Sequence, residues 1–194
     1  MRKTVATFLV VVALCVGYVA WPFVSLFAVV RAAQAGDVAQ IQSRIDVPAL
    51  RRSLAGQIVA TYARLKGIRP DSTGLTVGVV TSFMDPFIDR LMSPVAITEL
   101  MRSGWPTGVL DERPAGIEGL DLDSLGNVWQ LYLNSDYGIG EVRTMVPIRQ
   151  PREKQYRVQL ALSNWTWKLS GLDLPVALQE RLAREVMKQQ GKAG

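Results

Sequence analysis

No histidine occurs among the 194 residues, and that absence closes more chemistry than any residue present opens. Histidine is the usual general base near neutral pH and the commonest metal-binding side chain. Without it no Ser-His or Cys-His nucleophile can form, and a zinc site would need carboxylates alone. The only cysteine is Cys15, so no disulfide can form within the chain. Charge imbalance is also small. The chain carries 22 Lys and Arg against 17 Asp and Glu, and setting aside Arg2 and Lys3 leaves 20 against 17. An excess of about +3 over some 160 residues does not indicate a nucleic-acid partner. The basic residues are scattered, with Arg51-Arg52 the adjacent pair beyond the N-terminal one, as on a solvated helix face.

What the chain does have is an uncharged run from Thr4 to Val30, bracketed by Arg2-Lys3 and Arg31. At about 1.5 Å per helical residue, this run can cross a hydrocarbon core of roughly 30 Å. Tyr18, Trp21 and Phe23 cluster at its far end, where amphipathic rings favour the headgroup level. Pro22 among them marks where the helix kinks or leaves the lipid. The cations at Arg2 and Lys3 place the N-terminus in the cytoplasm and the rest across the inner membrane. A cleaved signal would put bulky Tyr18 three residues before a cut at Ala20, and lipidation of Cys15 would put Leu14 where a small residue is wanted. An uncleaved anchor is therefore expected. Gly17 offers it a small packing surface, with Ala13 as the small residue one turn away.

Past the anchor, Val30, Ala33, Val38, Ile41 and Ile45 fall at helical spacing, with a break at Gly36-Asp37. Asp46 is an N-cap candidate ahead of Pro48, and Val47, Leu50, Leu54, Ile58, Tyr62 and Leu65 predict a helix stopped by Gly67. Leu75 to Phe83 is strand or helix, with helix preferred; Asp85-Pro86 and Ser93-Pro94 open two short helices, 86–92 and 94–102. Gly104 to Gly119 reads as a long loop. Then come β-rich runs at 128–133, 140–148, 156–162 and 166–172, separated by turn residues. Asp173 is a candidate cap for a last helix through Leu178, Leu182 and Val186.

Several of these residues together resemble a known bacterial family. Trp21-Pro22-Phe23, Ala32-Ala33-Gln34-Ala35-Gly36-Asp37, Asp46-Val47-Pro48-Ala49-Leu50-Arg51 with Leu54, and Trp167-Lys168-Leu169-Ser170-Gly171-Leu172 with Leu174-Pro175 carry the likeness. The family is domain of unknown function 2939. The resemblance implies a small envelope protein with an N-terminal anchor or signal, and it assigns no chemistry. The order of helices before a curved sheet is also similar to the cone-shaped fold of nuclear transport factor 2 and its relatives, which implies a pocket.

Candidates for chemistry are few. Asp121 to Asn127 is similar to the opening of a calcium loop, but Leu125 stands where a third oxygen ligand is required, so a turn into the first strand is expected. Asp111, Glu112, Glu118, Asp121 and Asp123 could supply paired carboxylates, although acids gathered in one loop more often serve solubility and turns. Trp129, Trp165 and Trp167 could line a ligand pocket, but on strands aromatics are more often core. No catalytic, cofactor-binding or metal residue is assigned.

The expected architecture is α+β: an N-terminal tail and transmembrane helix over 1–30, then an exported domain over 31–194 with helices on an antiparallel sheet of about four strands. The expected function is a non-catalytic binding or scaffold module facing the periplasm, with the inner membrane and an envelope protein, lipid or small ligand as partners. The alternative is a carboxylate-dependent hydrolase acting on an envelope polymer or ester.

Overall fold

A computed structural model describes residues 2–68, 85–106, 109–110, 119–120 and 122–193. The first helix, α1, runs without interruption from Arg2 to Ala35, with Pro22 inside it. At 1.5 Å per residue it is about 50 Å long. It is also long and apolar enough, over Lys3–Ala35, to cross a membrane. Residues 3–18 are exposed throughout, whereas Phe23, Leu26, Val29, Val30 and Ala33 are buried in the core. The change of environment falls at Pro22.

Gly36, at φ +70, ends α1, and Asp37 starts α2 (Val38–Ser43) by accepting a hydrogen bond from the Gln40 N–H. Asp46 does the same for α3 (Val47–Leu65), accepting from the Ala49 N–H with Pro48 in the first turn. The stop falls at Gly67, whose φ of +66 suits a residue without Cβ. Both breaks and both caps agree with the sequence pattern. Residues 85–91 form α4, tied to α3 by Arg51, which bonds Asp85 at 3.1 Å and also Asp89. These bonds raise the Arg51 pKa further above its ordinary value, those to Asp89 foremost. Ser93 caps α5 (Pro94–Ser103) through the Ala96 N–H. The stretch 75–83 and most of the expected 104–119 loop lie outside the described residues.

Two expectations fail in the next segment. Asp123 and its neighbours form a short helix, α6 (Leu122–Leu125), where a turn into a strand was expected. Val128–Leu133 is a helix as well, α7, although Val, Trp and Tyr favour strands. A capping box decides it: the Asn127 side chain accepts from the Gln130 N–H while the Gln130 side chain accepts from the Asn127 N–H. The strand needed at this edge is supplied by the next four residues, β1 (Ser135–Gly138).

The sheet is antiparallel in the order β1, β2 (Glu141–Val146), β3 (Tyr156–Ser163), β4 (Thr166–Asp173). Its inner face sets Val142 against Leu160 and Val146 against Tyr156, all buried beneath α1 and its neighbours. One residue is extra near Ser170, where the β3–β4 register shifts. The outer edge of β4 is closed by polar groups from three elements. Ser25 Oγ of α1 donates to the Trp167 carbonyl at 2.6 Å. The 44–46 segment exchanges backbone bonds with Leu169. Gln57 of α3 donates to the Leu172 carbonyl and accepts from the Leu174 N–H, while Ser53 Oγ accepts from the Leu172 N–H. An edge that would otherwise recruit another strand is thereby occupied.

The last helix, α8 (Val176–Ala193), buries Leu178, Leu182 and Val186 as their spacing predicts. Asp173, however, is not its cap: it remains in β4, 3.7 Å from Arg157, because the bond from the Leu174 N–H to Gln57 carries the edge pairing one residue further. The architecture is α+β with helices on a four-stranded antiparallel sheet, as expected.

Candidate functional site

The described acids do not gather into a site. Asp123 is exposed on α6, and Asp111, Glu112, Glu118 and Asp121 lie outside the described residues. No group of three or more Asp, Glu or Cys that could hold a metal occurs among the described residues. The tryptophans separate instead. Trp167 is buried at 2%, which fits the core reading, but Trp129 and Trp165 are 66% and 91% exposed, which does not. The correction has a local cause in each case. Trp129 lies on a helix that buries only Leu131, and Trp165 occupies the tip of the β3–β4 hairpin rather than a strand.

Trp129 and Trp165 both lie beside α1 at the level where it enters the folded part. Together with anchor residues they form a collar. On one side a groove of about 470 Å³ runs between α1 (Cys15, Val19, Phe23) and α7 (Val128, Trp129, Tyr132). On the other side Tyr18, Trp21, Leu162, Trp165 and Trp167 enclose about 320 Å³. Ring contacts link the parts: Tyr18 meets Trp167 edge-on at 6.3 Å, Phe23 meets Tyr137 at 6.1 Å, and Trp129 stacks on Tyr132 at 5.5 Å.

One polar bond crosses the collar. The Tyr137 hydroxyl donates to the Val19 carbonyl at 3.3 Å. Pro22, one turn after Tyr18, has no N–H to donate to the Tyr18 carbonyl, next to the carbonyl that Tyr137 bonds. Burial, with a smaller contribution from Tyr132, pushes the Tyr137 phenol up to about 12. It therefore stays a donor across the physiological range.

A larger cleft of about 800 Å³ lies on the outer side of the sheet, between α7 and the 148–157 segment. Its character is polar, with Arg143, Arg152 and Arg157 facing Asp136. Arg143 is already bonded to Glu141 at 2.6 Å, and Arg157 lies 3.7 Å from Asp173. Two of its three cations are thus paired with carboxylates on the sheet.

Comparison with known proteins adds a family. Residues 11–100 match the family described as Protein of unknown function (DUF2939). The DUF2939 match takes in the α1 side of the collar, the two capped breaks, α3, α4 and the first part of α5, and upholds the resemblance read from residues 21–54. The Trp167–Pro175 pattern lies beyond it. No curated protein and no solved structure matches the chain, and these comparisons do not bear out the likeness to nuclear transport factor 2.

Sequence reasoning missed Tyr132, Leu133, Tyr137 and Ile139 as collar residues. A signal was present in the two hairpin turns, whose tips carry Ile139 and Trp165 where polar residues are usual.

Proposed function

We propose that this chain is a single-pass, membrane-anchored binding or scaffold module without catalysis, its N-terminal side in the cytoplasm and its folded part on the periplasmic face of the inner membrane. The observation that carries this reading is the division of α1 at Pro22 into an exposed apolar half and a half that is core. Tyr18 and Val19, which precede any cut after Ala20, contact Trp167 and Tyr137, which favours an uncleaved anchor. Arg2 and Lys3 favour the stated orientation. The groove between α1 and α7 is the binding element, and its apolar lining suits a lipid acyl chain better than a charged metabolite.

The first test is topology. A reporter active only outside the cytoplasm, fused after Gly194, should be active; activity of a cytoplasmic reporter at the same site would reverse the orientation. Native mass spectrometry of the full chain should show retained lipid, lost on Ala20→Trp, which fills the groove. Single substitutions Asp111→Asn, Glu112→Gln, Glu118→Gln, Asp121→Asn and Asp123→Asn should leave complementation of a deletion strain intact. A positioned acid or base contributes about 10²–10⁴-fold, so abolition by one folded variant would replace the binder with the hydrolase.

A further inference from the structure

Several exposed apolar residues of the folded part lie around the exit of the anchor, while Val47, Leu65, Val95 and Val176 are exposed outside that group. Trp129 and Leu133 lie one turn apart on α7, Ile139 is fully exposed in the β1–β2 turn, and Trp165 tips the β3–β4 turn. The two turns adjoin, since the Leu162 N–H bonds the Gly140 carbonyl at 2.8 Å. Trp129 and Trp165 each share a groove with residues of the anchor. The three segments carrying these side chains, 124–135, 137–140 and 161–167, contain no charged residue, although the chain as a whole is 20% charged.

Trp165 is held at a cost. It follows Asn164 in a two-residue hairpin turn, with φ of +49 at Asn164 and +60 at Trp165. Such turns favour Asn-Gly, because only glycine takes the left-handed region freely at the second position. A bulky ring in that conformation, 91% exposed at the rim of its groove, gains little burial from the fold that holds it. An apolar solvent at the tip supplies the missing gain.

We infer that this face is seated in the bilayer surface, with Trp129, Leu133, Ile139 and Trp165 inserted at headgroup depth around the anchor. The inference rests on the anchored reading, because the occupant follows from continuity: the exposed apolar half of α1 leaves the folded part through this same face. Tryptophan at the interface and aliphatic tips just below it are the side chains such a surface requires. The seat fixes the orientation of the folded part, which would otherwise tumble freely on a tether, and sets Leu133 at the rim of the polar cleft.

The test uses the full chain with Cys15→Ser in bilayers of phosphatidylethanolamine and phosphatidylglycerol. Spin labels are placed singly at Val12→Cys, Leu133→Cys, Ile139→Cys and Arg152→Cys, and collision with oxygen is compared with collision with a water-soluble nickel chelate. Labels at 12, 133 and 139 should favour oxygen several-fold over the label at 152. A label at 12 in lipid with 133 and 139 in water would overturn the seat and leave the anchor standing. A label at 12 in water would overturn the anchor itself. Shielding at 133 and 139 that disappears on dilution of protein in lipid would assign the face to a second copy and overturn the seat. Trp165→Gly should melt a few degrees higher in detergent while the label at 139 moves toward water; a lower melting point would overturn the reading of Trp165 as strained for presentation.

Discussion

The two halves of α1 are both apolar and sit in different surroundings. Phe8, Leu9 and Leu14 are more than half exposed, whereas Phe23, Leu26 and Val30 are buried to within 1%. Side-chain chemistry does not separate them. What separates them is the neighbours: α2, α5, α6, α7 and β4 pack on α1, while its residues 3–18 stay exposed. Two hydroxyls of α1, one in each half, express the same difference. Thr7 Oγ1 donates to the Lys3 carbonyl within its own helix, the arrangement that suits a hydroxyl in lipid, while Ser25 Oγ reaches out to Trp167 on β4. The exposed half of α1 is continuous with the core, so a pull on it acts directly on the folded part.

The largest expected effect breaks the comparison at its buried side. Phe23→Ala should cost about 3–5 kcal/mol, since a large core side chain leaves a cavity. Leu9→Ala should be close to neutral by the same thermal melts of the full chain in lipid discs. Equal losses would mean that the exposed half has packing partners of its own and that the division at Pro22 is misplaced.

A smaller effect sharpens the comparison between the hydroxyls. Ser25→Ala removes the donor to the buried Trp167 carbonyl and should cost about 1–3 kcal/mol. Thr7→Val, which gives up only a local bond, should change the melt little. A Ser25→Ala variant as stable as the parent would show that the β4 edge is held by the 44–46 segment and α3 without help from α1.

The smallest effect concerns the junction of the two halves. Because the folded state raises the Tyr137 phenol from 10 to about 12, its contribution is complete below pH 10 and is lost as pH rises toward about 12. Melts between those limits should show a loss that is smaller in Tyr137→Phe, the remainder coming from the lysines and other tyrosines. A parent and variant with the same pH slope would remove Tyr137 from the set of groups holding α1 to the folded part.

Much of the fold was legible because its signals are local. Asp37, Asp46 and Ser93 each announce a helix start with a side chain that reaches an N–H three residues on. Gly36 and Gly67 announce stops, and Leu50, Leu54 and Ile58 repeat at a period that can only face one way. The misreadings arose where local preferences compete. Val128 to Leu133 has strand-forming residues and a capping box in the same stretch, and the box prevailed once Ser135–Gly138 filled the sheet edge. Trp129 and Trp165 were read as core because aromatic residues beside strands usually are, and neither lies on a strand.

By itself the sequence determined that a helix could span a membrane, that helices precede an antiparallel sheet, and that histidine-dependent chemistry is closed. These are matters of composition and of spacing along one chain. Only the tertiary structure decided where the apolar run stops being surface and becomes core, and that Trp129, Ile139 and Trp165 surround that point. Residues more than a hundred positions from the anchor reach it through sheet pairing and hairpin turns. No periodicity records that arrangement, because exposure depends on which distant segment covers a side chain.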